Sequence, residues 1–176
     1  MSSSKPAEPS PLPLTVLVAD PSPHMATLVA GMLRTIKVRE VREVQTAAAA
    51  LAELARREYS VLVLDDGMKD IASVEFVRRL RASSTNPSHA IPIIMMSAAP
   101  GVSEIKAARD AGVTEFLRKP FAPRDIGARL NTIMNAPREF IAAPAYAGPD
   151  RRRRTSAHGG EDRRSSEDRA EDQTGS

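Results

Sequence analysis

The sequence predicts a parallel, doubly wound α/β domain, and three observations carry that prediction. Five short apolar runs alternate with five stretches of helical periodicity between residues 14 and 134. The connections between them are short, as they are when crossover helices join neighbouring parallel strands. The apolar runs also end on polar residues, namely Asp20, Asp65, Ser97 and Lys119. In an open parallel sheet such strand ends border the crevice where ligands bind.

Each element has its own signal. LTVLVAD (residues 14–20) is an unbroken apolar run closed by an acid, the pattern of a strand buried on both faces. Ser22 can cap a following helix and Pro23 can occupy its first turn. Met25, Leu28, Val29, Met32, Leu33 and Ile36 then recur at helical spacing. VREVQT (41–46) reads as a second strand and the alanine-rich run 47–57 as a second helix. YSVLVLDD (59–66) is the clearest buried strand, and Val74, Phe76, Val77 and Leu80 supply the next helical face. IPIIMMSA (91–98) gives a fourth strand, and 103–111 a short helix closed by Gly112. VTEFLRKP (113–120) and residues 123–134 complete the alternation. After Ala136 the periodicity stops.

The division that follows is a leader (1–13), one α/β domain (14–136) and an arginine-rich tail (137–176), with leader and tail expected to be disordered when free. The chain has 176 residues, 41% of them apolar, enough for one real core. It has no cysteine, which excludes disulfides and thiolate metal sites. The start carries no signal-peptide pattern, and no apolar run approaches the ~20 residues of a membrane span. A cytoplasmic protein with no membrane segment is the expectation. The net charge of +3 lies in residues 1–137, because the eight arginines and eight acids of residues 138–176 cancel. A neutral, charge-mixed tail is a poor general DNA binder, since nonspecific affinity follows uncompensated positive charge.

The strand-end residues suit phosphoryl transfer to an aspartate. Carboxylates can hold Mg²⁺, which offsets the charge of an incoming phosphate. A lysine can pair with phosphoryl oxygens while a neighbouring hydroxyl bonds another. Asp65 is the natural acceptor, with Lys119 as counter-ion, Ser97 as the hydroxyl, and Asp20, Asp65 and the Gly67 backbone as metal donors.

Residues 14–136 thereby resemble a response-regulator receiver domain of the CheY type, with a flavodoxin-like sheet. The matching pieces are VLVAD, VLVLD with Met68 three residues on, MMSA, and KPF (Lys119, Pro120, Phe121). The resemblance implies that Asp65 is phosphorylated by a histidine kinase, that Lys119 contacts the phosphoryl group, that Ser97 reports it, and that Phe116 is the switch aromatic. Such a chain is a signalling protein and not an enzyme. Two positions depart from the pattern. Pro21 stands where the family carries a second acid, which weakens Mg²⁺ binding, and Lys69 replaces a common proline. Asp66 cannot replace the missing acid, because successive strand residues point to opposite faces.

GPDRRRR (148–154) is echoed by GEDRR (160–164) and then EDR (167–169). Arginine can donate two hydrogen bonds to guanine O6 and N7 and stack on the base. Aspartate can accept from guanine's opposite edge, and glycine lets the backbone approach a ligand closely. The tail is similar to that of the Cle group of CheY-like proteins, which bind cyclic di-GMP through an arginine-rich C-terminal stretch and act on the flagellar motor or on attachment. The resemblance implies that Asp150, Arg151, Arg152, Arg153, Arg154, Asp162, Arg163 and Arg164 hold cyclic di-GMP. Gly148 and Pro149 open the motif, Tyr146 can stack on a base or dock on the receiver, and Asp168 and Arg169 are further candidates. It also implies a protein partner on residues 101–135, such as a flagellar motor switch component. The alternatives are a plain response regulator phosphorylated on Asp65 with a tail for protein contacts, and a tail that binds RNA.

Overall fold

The computed structural model describes residues 12–143 and 146–150, and in it the five expected strands form one parallel sheet. The elements are β1 (Leu12–Ala19), α1 (Pro23–Thr35), β2 (Val38–Val44), α2 (Ala47–Arg56), β3 (Val61–Asp65), α3 (Ser73–Ala82), β4 (Ile93–Ser97), α4 (Val102–Ala111), β5 (Glu115–Arg118) and α5 (Pro123–Asn135). A separate hairpin, β6 (Phe140–Ala143) and β7 (Tyr146–Pro149), follows. The sheet order is β2-β1-β3-β4-β5, the flavodoxin-like arrangement with helices on both faces.

Local chemistry sets the helix ends. Ser22 accepts from the Met25 amide at 3.3 Å and Pro23 opens α1. Thr46 accepts from the Ala49 amide at 3.1 Å. Gly112 takes φ 108° to close α4, a left-handed position that glycine adopts without strain. β1 begins two residues earlier than the sequence suggests, and its pairing with β2 is irregular between Leu12 and Thr15. Pro13 lies in that interval and has no amide to donate to a ladder. β2 begins at Val38, three residues earlier than expected, after Lys37 turns the chain at φ 66°.

Strand alternation sorts the core into two layers. Leu17, Leu62, Leu64, Ile93 and Met95 face α2, α3 and α4, where Leu54, Phe76, Val77 and Leu80 meet them. Val16, Val18, Val61, Val63, Ile94 and Met96 face α1 and α5, where Val29, Leu33, Ile126 and Leu130 meet them. Each strand contributes to both layers, so neither packs without the other. Among the described residues, no helix is long and apolar enough to cross a membrane.

The hairpin departs from the expectation that residues beyond Ala136 lack regular structure. β6 and β7 pair antiparallel, from Phe140↔Pro149 to Ala143↔Tyr146, and β7 packs against α3 and α4. Backbone seats it there more than apolar side chains do. A Cβ on Gly148 would fall 2.8 Å from the Gly112 Cα, and one on Gly112 would fall 2.8 Å from the Ala147 carbonyl. Arg81 anchors the contact from beneath. It is buried and donates to the carbonyls of Gly112 (2.9 Å), His89 (2.6 Å) and Ile91 (2.7 Å). The Phe140 ring lies 5.6 Å from its guanidinium and meets the His89 ring edge-on at 5.2 Å. Burial pushes the Arg81 pKa down to about 10, so the group stays charged at neutral pH. Arg138 adds an ion pair with the buried Glu115 at 3.1 Å.

Candidate functional site

Strand register brings the carboxylates together. β1 and β3 pair Val18 with Val63 and Ala19 with Leu64, so the next step sets Asp20 beside Asp65. Both belong to the alternation that faces α1 and α5, and both are buried, Asp20 at 1% and Asp65 at 5% exposure. Lys119, just past β5, reaches back between them. Its ammonium bonds Asp65 Oδ2 and lies 3.7 Å from Asp20 Oδ2.

Backbone amides hold the other carboxylate oxygens. The Ser22 amide donates to Asp20 Oδ1 at 2.9 Å, and the Gly67 amide donates to Asp65 Oδ1 at 2.9 Å. A Cβ at Gly67 would sit 2.9 Å from that same Asp65 oxygen, so glycine leaves the carboxylate room at this turn. Among the described residues, Asp20 Oδ2 is buried with no hydrogen-bond partner. Burial raises the Asp20 pKa, and the Asp65 charge adds to it; the Ser22 amide and Lys119 act in the opposite sense. A buried, under-satisfied carboxylate beside a second one is a place that favours a hard cation. The donor set therefore fits Mg²⁺, with Asp20, Asp65 and Gly67 the residues that would hold it. The set is sparse: among the described residues no group of three or more His, Cys, Asp or Glu side chains could hold a metal. Pro21 is half-buried next to Asp20 and offers no oxygen from its side chain.

Ser97 ends β4, is 3% exposed, and its carbonyl accepts from the Lys119 amide at 2.8 Å. Phe116 on β5 is half-buried against the α2/α3/α4 layer, with the Arg109 guanidinium 6.0 Å from its ring. Asp66, one residue past the end of β3, is exposed. Met68 is buried, and Lys69 is exposed.

Two supporting residues escaped the sequence reading. Ser73 donates to the Asp65 carbonyl at 2.7 Å, fixing the strand end from the start of α3. Asp70 accepts from the Ala47 and Ala48 amides, both at 2.9 Å, and so caps α2 from the β3–α3 loop. A polar residue within eight positions of a strand-end acid was the available signal. For Asp70 the partners lie 23 and 22 positions away, and spacing alone does not reveal them.

The tail residues lie apart from this site. Tyr146, Gly148 and Pro149 form β7, the Tyr146 hydroxyl donates to the Pro149 carbonyl at 2.7 Å, and the Asp150 amide donates to the Glu139 carbonyl at 2.8 Å. They sit by Gly112, at the end of the sheet where β4 and β5 begin, away from Asp65. Arg151, Arg152, Arg153, Arg154, Asp162, Arg163, Arg164, Asp168 and Arg169 lie outside the described residues.

Similar proteins share this arrangement of strands. The chain is 29% identical over 122 residues to the chemotaxis protein CheY1 of Helicobacter pylori, covering 69% of this chain and 97% of that one. It is 37% identical over 94 residues to the KDP operon transcriptional regulatory protein KdpE of Escherichia coli, covering 53% of this chain and spanning 40% of KdpE's length. Its fold matches the chemotaxis protein CheY4 of Vibrio cholerae (TM-score 0.62, 24% identity, 69% and 99% of the two chains). It also matches the receiver domain of the sensor histidine kinase PA1611 of Pseudomonas aeruginosa, solved with magnesium in its active-site cleft (TM-score 0.63, 22% identity, 71% and 100% of the two chains). Residues 16–131 match the response regulator receiver domain, and the chain belongs to that family.

Proposed function

We propose that this chain is a CheY-like signalling protein that accepts a phosphoryl group on Asp65 from a histidine kinase and passes the change to a protein partner in the cytoplasm. The observation that supports this most is the Lys119 ammonium set between the two buried carboxylates. In the transfer, an Asp65 carboxylate oxygen forms the new P–O bond as the P–N bond to the kinase histidine breaks, and the freed imidazole takes up a proton. Bound Mg²⁺ would neutralise charge on the phosphoryl group beside Asp20 and Asp65. Lys119 then exchanges its Asp65 contact for a phosphoryl oxygen. Ser97, at the adjacent strand end, hydrogen-bonds the group, and Phe116 responds on β5. The partner surface is residues 101–135. CheY1, the relative, is named a chemotaxis protein, which favours a motor-side partner.

The test is incubation with acetyl phosphate and Mg²⁺, read by intact mass. Wild type gains one phosphoryl group; Asp65→Asn gains none. Labelling that survives Asp65→Asn overturns the assignment.

A second reading gives the tail a ligand, cyclic di-GMP, held by the arginines and aspartates from Asp150 onward. Two features favour it. The glycine–acid–arginine order repeats, and the start of the motif, in β7, lies against α3 and α4 of the domain. Calorimetry with cyclic di-GMP tests it: micromolar binding to full-length protein is expected, lost when Arg151, Arg152, Arg153 and Arg154 become Ala. No heat of binding to wild type removes this reading and leaves the phosphoacceptor untouched.

A further inference from the structure

We propose that the β6–β7 hairpin is a clasp on the far end of α4, and that lifting it loosens α4 and the 98–101 loop leading back to Ser97. The signalling consequence of that coupling rests on reading Asp65 as the phosphoacceptor; the mechanical claim does not.

α4 is weakly held along its length. It buries only Ala108 and Ala111, where α3 buries Phe76, Val77 and Leu80, and α5 buries Ile126, Leu130 and Ile133. Its first turn has no side-chain cap, and Val102 stands 87% exposed. Small side chains leave little apolar area to fix a helix in place. The C-terminal end is different. The Gly112 carbonyl takes two hydrogen bonds from the buried Arg81, and the Gly112 backbone meets Gly148 of β7 directly. Phe140 of β6 covers the same guanidinium. The hairpin therefore shields the charged group that holds the end of α4.

The clasp is also built to open. β6 is exposed along residues 141–143, Ile141 at 39%. A cavity of about 60 Å³ remains where the hairpin meets the domain, lined in part by Pro92, Thr114, Ile133, Phe140 and Pro149. Imperfect packing and few buried apolar contacts mark an element of low local stability. The arginine segment follows one residue past Pro149, after Asp150. A ligand or partner pulling on that segment acts on the clasp, and by linkage a displacement of α4 acts back on the hairpin.

Hydrogen exchange on the full-length chain, with no phosphodonor or nucleotide, tests this. Gly148→Ala pushes a methyl against Gly112 and the Tyr146 hydroxyl, and Phe140→Ala uncovers Arg81; neither touches the sheet core. Both variants should exchange amides of residues 98–112 about tenfold or more faster, with α1 and α5 unchanged. Unchanged exchange across 98–112 in both variants, or an equal acceleration in α1 and α5, overturns the clasp. Because no phosphate is present, that result is independent of whether Asp65 accepts one.

Discussion

Asp20 is the residue whose environment is least comfortable. Its Oδ2 is buried with no hydrogen-bond partner among the described residues, and burial together with the Asp65 charge raises its pKa above the ordinary value of 3.8. A carboxyl raised in the folded state destabilises the fold once pH climbs through that raised value, because the native state must then carry a costly charge. Below 3.8 both folded and unfolded chains hold the proton and the effect vanishes. Asp20→Asn should therefore raise the neutral-pH melting temperature, by a stability gain of about 1 kcal/mol, a typical worth for a mild charge burial. Added Mg²⁺ should raise the melting temperature of wild type and leave Asp20→Asn nearly unmoved, since ligand binding stabilises the state that binds it. Pro21→Asp supplies another oxygen donor, and calorimetry should find Mg²⁺ binding about tenfold tighter, as cation affinity follows ligand charge count. A variant that binds no better would mean that residue 21 does not face the cation.

The elements show where sequence reading succeeds and where it stops. α1 declares itself by Ser22, Pro23 and an apolar face of which Val29 and Leu33 are buried; Leu28, expected on that face, stands 44% exposed, and Ala26 and Ala30 are buried on the helix. Asp20, Asp65 and Lys119 are legible because a buried parallel strand reads as an apolar run, and the run's last polar residue marks the crevice. The hairpin is not legible. Its residues, FIAAPAYAGP (140–149), show no apolar alternation because glycine backbone and a buried arginine hold it. The Asp70 cap is equally hidden, since it ties residues 23 and 22 positions apart (Ala47 and Ala48). Hydrogen bonds from the Ala48 and Ala47 amides lower the Asp70 pKa. Stability from such a group is present above the ordinary carboxylate value and lost as pH falls through the lowered one. Asp70→Ala should thus melt at lower temperature than wild type at neutral pH, with the gap closing in acid; a gap constant with pH would mean that the charge at α2's start is irrelevant.

At the scale of the whole molecule, the alternation of strand residues ties the two core layers into one cooperative unit. Leu62 and Val63 are neighbours on β3, yet they serve opposite faces of the sheet. Damage to one layer should therefore unfold both. Phe76→Ala removes the largest fully buried side chain on α3 and should cost about 3–5 kcal/mol, the usual loss for truncating a buried aromatic. The chain has two tyrosines and no tryptophan, so each region carries its own optical probe: Tyr59 in the α2/α3 layer and Tyr146 in the hairpin. Urea unfolding followed by circular dichroism and by Tyr59 emission, in a Tyr146→Phe background, should give coincident transitions that move together in Phe76→Ala. The reverse background, Tyr59→Phe, leaves Tyr146 to report the hairpin. The hairpin shares no strand with the sheet and rests on Arg81 and a glycine contact, so its signal should change at lower urea than the core's. Coincidence of all three curves would place the hairpin inside the cooperative core, and its release would then require unfolding the domain.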